Sequence, residues 1–139
     1  MSAETPTRVR IAECRCGAVS ARCVGEPVRV SVCHCLACKR RTGSAFSAQA
    51  RFPVEDVTIT GEVKTFERQA DSGAKLSYRF CPACGSTIAY RIEGYDQVVA
   101  IPLGAFADPA FSPAPKFSVY ENRKHDWVAI LGEDIERLG

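Results

Sequence analysis

No run of about 18 apolar residues occurs anywhere in the 139-residue chain, so no segment is long enough to cross a bilayer as a helix. Residues 1–10 mix Glu4, Pro6, Arg8 and Arg10 and lack the apolar stretch that a secretory leader carries. Charge of one sign is scarce as well: the net charge is +2 and there is no long basic tail, which argues against a nucleic-acid surface. Low-complexity tracts and interdomain linkers are missing, and no 3.6-residue periodicity is sustained, which excludes a helical bundle and favours one domain spanning residues 1–139. Histidine is reduced to His34 and His125.

Cysteine, by contrast, is abundant. With no leader the chain reads as cytoplasmic, where thiols stay reduced, so eight cysteines read as metal ligands rather than a disulfide framework. Three of them fall within six residues, Cys33-His34-Cys35-Leu36-Ala37-Cys38, followed by Lys39, Arg40 and Arg41. Cys14 and Cys16 lie upstream, Cys81 and Cys84 far downstream, and those four make a complete tetrahedral thiolate set. Cys81-Pro82-Ala83-Cys84-Gly85 has the spacing of a zinc-ribbon knuckle. The eighth, Cys23, sits in a strand-like run and reads as a small buried hydrophobe. The count therefore predicts two Zn2+ per chain: a closed structural site, and a three-thiolate site of Cys33, Cys35 and Cys38. The second is either open to water or a substrate thiol, or a further structural site completed by His34 or His125.

An open three-thiolate zinc suits thiol chemistry, because a coordinated thiol loses its proton at neutral pH. Hydrolysis suits it less, since three thiolates more than neutralise the dication. Lys39 and Arg40 are candidate holders of substrate carboxylates, or part of a solvated basic turn. Ser44 either contacts a ligand or caps the turn. His34, wedged between two candidate ligands, reads as a supporting or exposed residue rather than a ligand. The 122–126 stretch reads as a solvated polar loop or as a group that closes over the site, while Tyr120 and Trp127 read as core.

Short strand patterns recur at residues 9–13, 18–24, 28–32, 44–52, 57–60, 63–68, 75–80, 87–92, 97–101 and 117–120, with a helical turn over 36–42 ended by Gly43. Four prolines make residues 102–115 a loop, and 127–131 an apolar patch against the core. The fold class is mainly β, with antiparallel sheets clamped by the four-cysteine site.

The sequence of motifs resembles one family. Cys14-Arg15-Cys16-Gly17 is followed by Cys33-His34-Cys35-x-x-Cys38, basic residues and Thr42-Gly43-Ser44-Ala45-Phe46, then by Cys81-Pro82-x-Cys84-Gly85 and a late Lys124-x-x-Trp127. Over roughly residues 11–130 this is similar to the glutathione-dependent formaldehyde-activating enzymes, a family that includes the centromere protein V domain. The resemblance implies a β-tent fold, with Cys14, Cys16, Cys81 and Cys84 on the structural zinc and Cys33, Cys35 and Cys38 on the second. It implies glutathione as thiol partner and its addition to formaldehyde, giving S-hydroxymethylglutathione, a carbon–sulfur lyase reaction. The pattern departs at Ser118, where many members carry His. The reading from another class is a non-catalytic zinc-binding module; a homo-oligomer is left open by either.

Overall fold

The computed structural model describes residues 7–139. The first six residues, part of the stretch read as lacking a leader, lie outside the described residues. Strand β1 (Val9–Glu13) pairs antiparallel with β2 (Ser20–Val24), and β2 with β5 (Val57–Thr60), in a three-stranded sheet. The second sheet holds β3 (Arg29–Cys33), β4 (Ser47–Pro53), β6 (Lys64–Gln69), β7 (Lys75–Phe80), β8 (Thr87–Ile92), β9 (Val98–Pro102), β10 (Phe117–Val119) and β11 (Glu136–Arg137). Its order is β11-β10-β3-β4-β9-β8-β7-β6, antiparallel except that β10 runs parallel to both β3 and β11. The mainly β class expected from the sequence is the one observed.

Side chains alternate across a strand, and in β3 and β4 this alternation divides two chemistries. Val30, Ala50 and Phe52 join the main core, together with Ala12, Ala21 and Cys23 from the smaller sheet and Val19 just before β2. Phe52, Ile88 and Ile101 are fully buried, each contributing about 1.5–3 kcal/mol by removal from water. The opposite faces pair Arg29 with Arg51, Ser31 with Gln49 and Cys33 with Ser47. This polar face is not solvated: Ser31, Ser47 and Gln49 are buried.

Helix α1 (Leu36–Thr42) follows β3 directly, and Gly43 ends it in the left-handed region at φ 69°, as the sequence predicts. The expected strand at 44–52 begins only at Ser47, because Ser44 to Phe46 are still leaving the helix. The proline-rich stretch holds a 3-10 turn, Leu103–Phe106, which buries Phe106. Strand β11 went unpredicted: two residues joined in parallel to β10 have no hairpin turn to announce them.

Two aromatic expectations are corrected. Trp127 is 76% exposed and stacks on His125 at 5.4 Å, so it is not core; in that segment only Val128 and Ile130 turn inwards. Tyr120 is half-buried with φ 56° at the head of a 3-10 turn, Glu121–Arg123, and lines a cavity instead of filling the core.

Candidate active site

The first cysteine set is assembled from two tight turns. Cys14 and Cys16 leave β1, Cys81 and Cys84 leave β7, and all four sulfurs lie within 4.8 Å of one another. Cys16 Sγ is 3.7 Å from both Cys14 Sγ and Cys81 Sγ. That separation is far too long for a disulfide, and it matches the edge, about 3.8 Å, of a tetrahedron with metal–sulfur bonds of about 2.3 Å. Backbone donors are already aimed at the thiolates: the Val19 amide donates to Cys14 Sγ at 3.2 Å. Cys84 lies 3.4 Å from Ser86 Oγ, and the Ser86 hydroxyl and amide draw its thiol down to about 5. Four soft donors at tetrahedral spacing fit a structural zinc.

The second set is local. Cys33 ends β3, Cys35 caps α1 with its sulfur accepting from the Cys38 amide at 3.2 Å, and Cys38 lies in the first turn of the helix. The three sulfurs fall within 4.8 Å of one another, and among the described residues no fourth His, Cys, Asp or Glu atom joins them. Cys38 is drawn down to about 5, first by the Cys33 thiol and then by Ser47, Cys35 and Arg41. Cys33 is correspondingly pushed up by Cys38 and by burial.

His34 is wholly buried beneath this cluster, its Nε2 3.0 Å from Ser118 Oγ and its ring 5.8 Å from Phe46. Burial pushes the imidazole down, which keeps it neutral. His125 is exposed and stands apart from both cysteine sets. Cys23 is buried, and burial raises its thiol to about 11, leaving it inert.

Beside the three cysteines lies a cavity of about 400 Å³. Cys33, Cys35 and Cys38 line it together with Arg40, Arg68 and Tyr78. Of the basic and polar residues singled out in the sequence, Arg40 lines this cavity. Lys39 instead gives its ammonium to the Arg123 carbonyl, and Ser44 is exposed outside the cavity. Arg41 sits over the rings of Tyr78 and Tyr90, at 5.2 and 5.3 Å. The arginines at 29 and 51 escaped sequence reasoning, although they share the strand alternation with Cys33 and Ser47. That polar face reads as solvent-facing until the cavity is seen.

Fold and site together define a mainly β protein with two cysteine sets that could hold metal ions, one set flanking a cationic cavity. Residues 9–123 match the family described as glutathione-dependent formaldehyde-activating enzyme, and the chain belongs to that family. Membership supports a glutathione-dependent, lyase-type activity. A crystal structure of a Rhodobacter sphaeroides protein is similar in fold, with a TM-score of 0.52 at 18% identity over 74% of this chain and 91% of that one. No curated protein matches the sequence significantly.

Proposed function

We propose that the chain is a zinc enzyme that joins a small thiol, glutathione or a close relative, to formaldehyde and catalyses the reverse cleavage. The C–S bond forms as the sulfur attacks the aldehyde carbon, and the thiol proton ends on the former carbonyl oxygen, giving S-hydroxymethylglutathione. Cys33, Cys35 and Cys38 would hold the zinc of this site, and Cys14, Cys16, Cys81 and Cys84 the structural one. Zinc bound by three thiolates supplies a position at which an incoming thiol loses its proton at neutral pH. The chain's own part is to bind and orient. The cavity wall encloses the substrate, Arg40 and Arg68 offer cations to its carboxylates, and Tyr78 and Tyr90 exclude water from one side.

The observation that carries this reading is that, among the described residues, the three-cysteine set has no fourth ligand and opens on a cavity, whereas the four-cysteine set has all four. Free thiols throughout the described chain support a reducing compartment, and no helix there is long and apolar enough to cross a membrane. The test is zinc per chain by plasma mass spectrometry on protein purified under reducing conditions, before and after mild chelation. It is paired with nuclear magnetic resonance of glutathione mixed with carbon-13 formaldehyde. Two zincs, one readily lost along with acceleration of adduct formation, are expected. Two tightly held zincs with X-ray absorption unchanged by glutathione would instead establish the non-catalytic module.

A further inference from the structure

Arg29 and Arg51 face each other directly across β3 and β4, and both line the cavity that the three cysteines share. Like charges directly opposite on neighbouring strands oppose folding. Among the described residues neither arginine makes an ion pair, and Arg29 Nε is buried without a hydrogen-bond partner. The exposed Glu136 on β11 attracts Arg29 from a distance but forms no bond with it. Both guanidinium groups are nevertheless held in place: Arg29 lies 3.8 Å from the Phe117 ring centroid and Arg51 lies 5.3 Å from that of Tyr95. Two braced and uncompensated cations in one cavity are a site prepared for an anion.

The surface between them and the cysteines is already satisfied. Gln49 Nε2 donates to Ser31 Oγ at 2.9 Å, and Ser47 Oγ donates to Gln49 Oε1 at 3.0 Å. A ligand crossing this floor finds no vacant buried partner before the arginines. Arg29 is four positions along β3 from Cys33, roughly 13 Å, a span matched by an extended chain of about three or four residues.

We propose that Arg29 and Arg51 form a carboxylate-binding subsite that selects thiols bearing a carboxylate remote from the sulfur. This rests on the thiol reading of the three-cysteine site. A dipeptide- or tripeptide-sized thiol with a free carboxylate satisfies both ends of the cavity, whereas a short neutral thiol reaches only the cysteines. Arginine supplies paired donors for the two carboxylate oxygens, and the ligand's charge relieves the repulsion between the two strands.

The test is calorimetric titration of the full metal-loaded chain with four ligands: glutathione, the same tripeptide with a methyl group in place of the thiol, that analogue with its carboxylates esterified, and 2-mercaptoethanol. Arg29→Gln and Arg51→Gln are each expected to weaken glutathione and the sulfur-free analogue tenfold or more. Affinity for 2-mercaptoethanol should move less than twofold, and the melting temperature of the unliganded variants should not fall, since a repulsion is removed. Variants that bind the analogue as the wild type does, or a wild type that holds the ester as tightly as the acid, would overturn the subsite. So would a lowered melting temperature with loss of all four ligands, which marks a structural role; Arg51→Lys, keeping the charge, then shows whether either variant was merely misfolded by recovering the fold without the selectivity. Failure of 2-mercaptoethanol to bind, with the sulfur-free analogue still held through the arginines, would sink the thiol reading and leave the carboxylate subsite in place.

Discussion

The Nε2 atom of His34 lies 3.0 Å from the hydroxyl of Ser118, 84 positions further along the chain, and both residues are wholly buried. Nearby, the Glu121 carboxylate is held by the Arg137 guanidinium at 2.6 Å and drawn down by the Ser118 hydroxyl. The residue between two candidate ligands is thus tied to β10, one strand in from the edge of the sheet. His34 positions the cysteine loop instead of joining the candidate ligands.

Ser118→Ala removes that bond and leaves both nitrogens of the buried ring without a partner among the described residues. The expected loss is about 1–3 kcal/mol, a drop of several degrees in melting temperature, because the imidazole keeps its desolvation without its partner. A calorimetric scan showing no change would mean that His34 finds another partner.

Glu121 gives the chain a pH signature. Burial on its own would raise the carboxyl, but the Ser118 hydroxyl and Arg137 outweigh it and hold it below its ordinary value. A depressed carboxyl stabilises the fold above its unfolded value of about 4.3, and that contribution fades as pH falls through the lower folded value. Glu121→Gln should therefore be less stable than wild type at pH 7, with the gap closing in acid below about pH 4. Denaturant titrations of both proteins across that range would show it, and a constant gap would contradict it.

Cys35→Ser separates fold from chemistry. Serine is itself a strong helix N-cap, so it can replace the sulfur that accepts from the Cys38 amide, while removing a soft metal ligand. Circular dichroism should stay close to wild type and adduct formation should fall by a hundredfold or more. Cys81→Ser should instead unfold the chain, because structural zinc contributes on the order of 10 kcal/mol, as much as a domain's whole stability. Identical spectra for the two variants would refute the division of labour.

Gly61→Ala tests the packing of the β5–β6 turn on the first cysteine knuckle. Gly61 has φ 108°, and an added Cβ would collide with the backbone carbonyl of Ala18. Backbone cannot swing aside as a side chain can, so a loss above about 2 kcal/mol is expected, measured by urea titration.

Much of the molecule was legible because its constraints are local. Cys33, Cys35 and Cys38 need only six residues to converge, and the 81–85 knuckle is a self-contained turn, so spacing announced both. Strand alternation gave most elements of both sheets. It could not say that the face carrying Ser47, Gln49 and Arg51 is covered, because that depends on which strands come to lie opposite. Trp127 misled for the converse reason: a large aromatic beside buried Val128 and Ile130 reads as core, yet a loop turns it outwards onto His125. Strand β11 and the His34–Ser118 bond are products of long-range closure, for which two residues carry no local signature.

The two cysteine sets differ in how far the chain must travel to complete them. The Cys33–Cys38 loop closes about six residues, while Cys14 and Cys84 enclose on the order of 70, a difference in closure entropy of roughly 2 kcal/mol. During synthesis all three cysteines of the short set are in place while the donors at 81 and 84 have yet to emerge from the ribosome. The set proposed for chemistry is therefore the first able to take a metal ion, and the set proposed to lock the fold is necessarily the last.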